Sequence, residues 1–354
     1  LKKIFGGNMK IVNKVLIMVF LIALSADFVL AGGQNRAGTA GAPELRIPVG
    51  ARYLAMSGAP IAVATGLEAI YWNPAGVDLS PNTANAMFSS RSHFADMTMN
   101  FAAASGRLGE VGSFAVSFRA LNIGDIPVTT MDQPDGTGQI INPNYFILSL
   151  NYSKQLTDRV SIGAGFNLIS ENIDRVSATG LSFDFGVQYR NLFDVPNLAL
   201  GVVVKNLGPQ IKFDGNGTFV TANDPNAQRG PTFYKFDTQA SDLPSEMSIG
   251  LSYLYQLNSE NSLQVASTFQ NNNYTYDNYN FGFEYSFKNL LFLRAGYQFS
   301  PGADDNNPNI YENYTLGAGV NLKQLSGLDI SVDYAYIPVK FFDANQVISI
   351  SIGF

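Results

Sequence analysis

Very little in this sequence is equipped for covalent chemistry. There is one histidine, His93, and no cysteine, which leaves no thiolate for nucleophilic attack or metal binding and a single imidazole for proton transfer. A Ser-His-Asp hydrolase needs its base held between a nucleophile and an orienting carboxylate, and no nucleophile motif accompanies His93. No catalytic residue, cofactor site or transition-metal site is therefore assigned. Asp304, Asp305, Asn306, Asn307 and Asn309 form an oxygen-rich stretch; calcium takes such ligands, but a solvated loop is the simpler reading. Arg46 and Arg52 stand in a stretch otherwise rich in Gly, Ala and Pro. A buried guanidinium without a carboxylate is costly, so Arg52 is expected to pair with an inward acid such as Asp184, Asp329, Asp333 or Glu284. Trp72, the only tryptophan, begins the run Trp72-Asn73-Pro74-Ala75. Pro74 fixes its own φ and pushes Asn73 extended, so a short helix over 65–71 should end there. The run reads as a structural turn, with ligand contact as the alternative. A net charge of −6 without a basic patch speaks against nucleic acid as a partner.

Composition sets the elements that must carry these residues. Only 14% of the chain is charged and 46% is hydrophobic, where a soluble domain carries about 25% charged residues. The apolar surface must therefore face a large core or lipid. Beyond residue 31 no apolar run reaches the roughly 20 residues of a membrane helix, and backbone groups in lipid must be paired within the protein. A membrane-spanning reading thus requires a closed β-barrel. Residues 1–31 read as a signal peptide starting at Met9: Lys10 and Lys14 are its positive region, 15–24 its apolar core, and Val29-Leu30-Ala31 the small residues before cleavage. A membrane anchor is the alternative.

Residues 32–82 show no sustained alternation, whereas 83–354 alternate apolar and polar with period two, placing one set of side chains on each face of a strand. Leu181, Phe183, Phe185, Val187 and Tyr189 interleave with Ser182, Asp184, Gly186 and Gln188. Such strands, apolar outside and polar or small inside, mark a membrane barrel. About fourteen are read: 84–93, 97–107, 111–122, 144–155, 160–173, 177–189, 198–206, 246–257, 261–271, 276–286, 290–300, 312–322, 328–338 and 345–354. Phe185 should face lipid, and inward Gly186 should accept a serine at little cost. The three longest connections, 123–143, 207–245 and 301–311, all follow odd-numbered strands. Outer-membrane barrels have short periplasmic turns and longer external loops, so both termini are expected in the periplasm. A secreted β-sandwich would have no reason to keep that phase. The last strand alternates Ile348, Ile350 and Ile352 up to a terminal Phe354, a pattern that matches the C-terminal signal for barrel-assembly machinery.

The run G-A-R-Y-L-A-M-S-G-A at 50–59, with Gly50, Ala51, Arg52, Met56 and Gly58, is followed at 71–76 by Y-W-N-P-A-G, with Trp72, Asn73, Pro74, Ala75 and Gly76. Together they resemble the N-terminal motif of the PorV/PorQ family, outer-membrane proteins associated with type IX secretion and related to FadL-type transporters. Ser57, where that family more often has Gly, and Tyr53, in place of a smaller residue, are departures. The resemblance implies an all-β membrane protein: a fourteen-stranded antiparallel FadL-like outer-membrane barrel, with 32–82 as a plug and 83–354 as the barrel. It also implies a non-enzymatic protein that binds or shuttles secreted cargo, with the secretion translocon, cargo domains, barrel-assembly machinery and outer-membrane lipid as partners. The loop 207–245, with Phe219, Phe233 and Tyr234, is the expected partner surface. The alternative is a FadL-type channel for hydrophobic small molecules.

Overall fold

The computed structural model describes residues 36–223, 230–301, 303 and 309–354. The signal-peptide residues and Asp304, Asp305, Asn306 and Asn307 lie outside the described residues.

Fourteen strands close into one antiparallel barrel. In chain order they are β1 Ala84–Ser92, β2 Thr98–Arg107, β3 Ser113–Asn122, β4 Asn144–Gln155, β5 Val160–Ile173, β6 Val176–Arg190 and β7 Leu198–Leu207. There follow β8 Glu246–Gln256, β9 Asn261–Asn272, β10 Asn278–Phe287, β11 Leu291–Phe299, β12 Tyr314–Asn321, β13 Asp329–Ile337 and β14 Asn345–Gly353. Each strand pairs with its chain neighbours, and β1 closes the ring on β14 through Asn85↔Gly353 to Arg91↔Val347. Closure removes the open edges that lipid could not satisfy. No described helix is long and apolar enough to cross a membrane.

The alternation read from the sequence is the inside–outside partition. Leu181, Phe183, Phe185 and Val187 are exposed, while Ser182, Asp184 and Gln188 between them are buried. Between β6 and β7 the pairing shifts register between Phe183 and Phe185 while the wall stays closed. Asn206 takes a left-handed φ of 59° there, its N–H donates to Asp184 Oδ1 at 2.7 Å and its side-chain amide to the Pro244 carbonyl at 3.0 Å.

Ahead of β1 the chain fills the lumen with short turns: 3-10 turns over Pro43–Arg46 and Pro74–Leu79, and single helical turns over Ala51–Leu54 and Ala69–Trp72. The last is shorter than the helix expected over 65–71, because Gly66 at φ 68° and the turns before it delay the start. Asn73 ends it in extended geometry, as Pro74 requires. The hydrophobic core is the seam between this segment and the wall: Val49, Tyr53, Met56, Leu67 and Ile70 pack with wall residues Met87, Met99, Phe101 and Leu121.

A series of inward glycines makes room for the plug. A Cβ on Gly163 would overlap Pro74 and Ala75, on Gly186 Asn73 and Pro74, on Gly201 Ala62, on Gly250 Ile61, on Gly282 Met56, on Gly296 Ser57, and on Gly317 Ala55. These seven glycines stand on β5, β6, β7, β8, β10, β11 and β12. On β9, between them, Thr268 donates its hydroxyl to the Ala59 carbonyl at 2.6 Å. The expectation that Gly186 tolerates a serine is therefore corrected: its inward face is occupied by plug atoms.

The connections 123–143, 208–245 and 300–313 all leave the same end of the barrel, and Phe354 lies at the other, its N–H donating to the Ala84 carbonyl at 2.9 Å. Arg36 is found at the long-loop end, paired with Asp242 at 2.7 Å, and the Gly41 N–H donates to the Asp242 carbonyl at 2.9 Å. Residues Arg36 and Phe354 thus lie at opposite ends of the barrel. The plug enters the lumen from the long-loop end and runs its length before becoming β1.

Candidate functional site

Each residue of the N-terminal motif is used to seat the plug. Gly50 takes φ 84°, and a side chain there would also run into Glu68. The Ala51 N–H donates to Ser349 Oγ at 2.8 Å. Arg52 grips Glu284 with both arms, Nε to Oε2 at 3.0 Å and Nη2 to Oε1 at 2.8 Å, so one of the four acids named from the sequence is its partner. Glu284 also receives Arg294 Nε at 2.6 Å, and Arg294 Nη1 reaches Asp333 at 2.6 Å. The bidentate fork suits a guanidinium, and alternating charges balance one another inside the lumen. Beside them Glu68 accepts the Arg52 N–H at 3.2 Å; burial, then the Asp333 carboxylate, pushes its carboxyl up to about 8.

Met56 is fully buried against Gly282. Gly58, at φ 71°, lies directly under the Trp72 ring. Trp72 Nε1 donates to the Val49 carbonyl at 3.0 Å, and its ring meets Tyr71 edge-on at 5.0 Å. Asn73 donates to the Ile61 and Val187 carbonyls at 2.9 and 3.2 Å and accepts from the Ala75 N–H at 3.2 Å. The Ala75 carbonyl accepts Ser153 Oγ at 2.8 Å, and Gly76 leaves no room for a side chain against the Ala64 carbonyl. The two departures have local meaning. Ser57 sits at φ 51°, a conformation glycine takes freely, and the Tyr53 hydroxyl accepts the Thr65 N–H at 3.0 Å, closing the loop above it.

His93 follows β1 and is buried, facing the Asn345 amide across 3.4 Å and packed on Phe94 at 4.1 Å. Burial, then Arg91, pushes its imidazole down to about 3, which keeps the ring neutral. Among the described residues no group of His, Cys, Asp or Glu is placed to hold a metal ion.

Above the plug, toward the long loops, the lumen opens into a cavity of about 580 Å³. Ile47, Leu54, Tyr71, Trp72, Met97 and Leu121 line its apolar side; Gln270, Asn278, Asn280, Gln298 and Ser300 line a polar arc. Trp72 is the one residue of the motif run 71–76, besides Tyr71, that reaches this cavity. Sequence reading missed three charged features here. Lys205 and Glu246 form a buried pair at 2.6 Å, with the ammonium 4.0 Å above the Tyr71 ring. Arg91 is buried and donates to the Pro48 carbonyl and the Tyr311 hydroxyl at 3.1 and 3.2 Å. Glu44 lines the same cavity. Their inward position on alternating strands was the signal available for Arg91, Lys205 and Glu246; Glu44 had none.

At the long-loop end, Phe219–Ala222 pairs with Thr232–Lys235 as a hairpin, and Ile126–Pro127 with Ile140–Ile141 as a smaller one. On the larger hairpin and beside it Phe219, Phe233, Tyr234 and Phe236 are exposed. At the short-turn end Phe354 is exposed, continuing the outward line of Ile348 and Ile350, with Ile352 half-buried.

A closed fourteen-stranded barrel with an apolar exterior and a lumen filled by its own N-terminal segment is an outer-membrane barrel of the FadL-like class. Solved structures of similar fold include the TodX monoaromatic hydrocarbon channel deltaS2 mutant (13% identity, 87% of this chain and 99% of that one, TM-score 0.57). The P. putida toluene transporter TodX (14%, 86% and 98%, 0.54) and a Pseudomonas aeruginosa FadL homologue (13%, 86% and 97%, 0.50) are also similar. No curated protein matches in sequence. The family model described as type IX secretion system protein PorV matches residues 31–239, and the chain belongs to that family.

Proposed function

We propose that this barrel is a non-enzymatic carrier of secreted protein in type IX secretion, binding cargo and handing it on at its long-loop end, with the translocon as a further partner. The observation that supports this reading is the folded connection 208–245. It is far longer than the usual 4–6 residues, and its described residues are tied down: Ser177 and Asp214 exchange backbone hydrogen bonds at 2.8 and 2.9 Å, as do Ile211 and Ser241 at 2.9 Å. On that frame it presents four exposed aromatics, the side chains that dominate binding energy at protein interfaces. Replacing Phe219, Phe233 and Phe236 together by serine keeps the hairpin backbone. Barrel assembly should stay intact while recovery of secreted cargo in a pull-down falls at least about tenfold, the scale of one hot spot. Undiminished cargo recovery rejects the reading.

A second reading, a channel for hydrophobic small molecules, is supported by the apolar side of the 580 Å³ cavity. On that reading Trp72→Ala changes uptake of a hydrophobic solute and the loop variant does not.

A further inference from the structure

Three carboxylate oxygens inside the lumen are buried with no described donor: both oxygens of Glu44 in the plug and Oε2 of Glu171 on β5. Glu44 is 1% and Glu171 2% exposed. Stranded acceptors of this kind are costly when ionised, and two carboxylates from different elements facing each other add repulsion. The charged and titratable groups around them are few. Arg119 from β3 is buried, lies over the Tyr71 ring at 5.4 Å and has an Nη1 without an acceptor. Tyr145 from β4 is half-buried nearby, and Arg46 shares the turn of Glu44. A single proton between the two carboxyls resolves the arrangement. It turns one stranded oxygen into a donor for the other residue and leaves one negative charge for Arg119.

We propose that Glu44 and Glu171 share one proton, and that this proton latches the N-terminal plug segment, residues 36–48, to the barrel wall. The segment is also held by Asp242 and Tyr274 at Arg36, by Tyr71 and Arg91 at the Arg46 and Pro48 carbonyls, and by the apolar contacts of Ala42 and Leu45 with Ile147, Ile169, Ala178, Ile211 and Leu243. Pro43, Glu44, Arg46, Ile47 and Pro48 form one side of the cavity. Losing the proton therefore loosens a wall of that cavity, while the deeper plug, seated on the glycines and on Glu284, stays in place.

The direction with pH follows. Burial, then Glu171, pushes the Glu44 carboxyl from its ordinary 4.5 up to about 8. The docked segment holds a proton that the released one gives up. Docking is thus at full strength below about 4.5 and weakens as pH rises through about 8, by about tenfold per pH unit for one proton.

Hydrogen exchange of the full barrel in detergent micelles reads this equilibrium directly, with intrinsic exchange rates divided out. Between about pH 5 and pH 8, opening of amides 41–47 should rise about tenfold per pH unit, while 73–79 stay unchanged. Glu44→Gln keeps an amide donor toward Glu171 and should abolish the slope with the segment still protected. Glu171→Gln removes the repulsion, so the rise should end at a lower pH than in the wild type. A flat wild-type response, or the same slope in Glu44→Gln, overturns the proposal. Neither measurement depends on cargo, so the result stands apart from the carrier reading.

Discussion

Phe185 and Gly186 are neighbours on β6 that face opposite solvents, one lipid and the other the plug. Phe185 is half exposed at the outer surface, so Phe185→Arg should cost about 2–4 kcal/mol if it lies at the bilayer midplane. Gly186→Ser should cost about 1–3 kcal/mol by overpacking, because its Cβ would meet Asn73 and Pro74. Urea titration of barrels refolded into vesicles separates the two causes. Combined with Asn73→Ala, the Gly186→Ser penalty should shrink, since the blocking amide is gone, whereas that of Phe185→Arg should simply add. Equal additivity in both would mean that the plug does not press on β6. Alternation told the two faces apart, but it could not tell an inward glycine against empty lumen from one against packed backbone. That difference depends on a segment more than a hundred residues away in sequence.

Between elements, the plug is fixed by charge as well as by fit. Glu284 is 5% exposed and carries two guanidinium groups, Arg52 from the plug and Arg294 from β11. Glu284→Gln should cost about 3–5 kcal/mol, because it takes a buried carboxylate from Arg294, which is buried, and leaves Arg52, a third exposed, without its acid; Glu284→Gln with Arg52→Met should recover part of that loss. Thermal unfolding in detergent, followed by circular dichroism, measures both. No recovery in the pair would place the strain at Arg294 alone. The strands themselves were legible almost to the residue: 144–155 and 160–173 coincide with β4 and β5. Period two is imposed locally by lipid on one side and lumen on the other. Arg52 was legible as a residue in need of an acid, though the choice among four acids depends on the radial position of each strand. The slip at Asn206, the hairpin over Phe219–Ala222 and the Glu44–Glu171 meeting had no local signature, because each is set by chain segments that come together only after the ring closes.

For the molecule as a whole, the seam between β1 and β14 is where closure happens, and Phe354 hydrogen-bonds across it to Ala84 and Thr83. Deleting Phe354 should sharply lower the yield of heat-modifiable barrel in outer-membrane fractions, on a gel comparing boiled and unboiled samples. Unchanged yield would reduce the residue to the end of a strand. The path of the plug also shapes the ring. It lies along the lumen like a cord through a bead, one end continuous with β1 and the other emerging among the long loops. Along that path seven wall glycines stand close against it, so the contour of the lower lumen is set by the cord as much as by the ring. Wall and cord fit each other closely enough that residues 36–83 act as a mandrel, the shape on which the first and last strands meet.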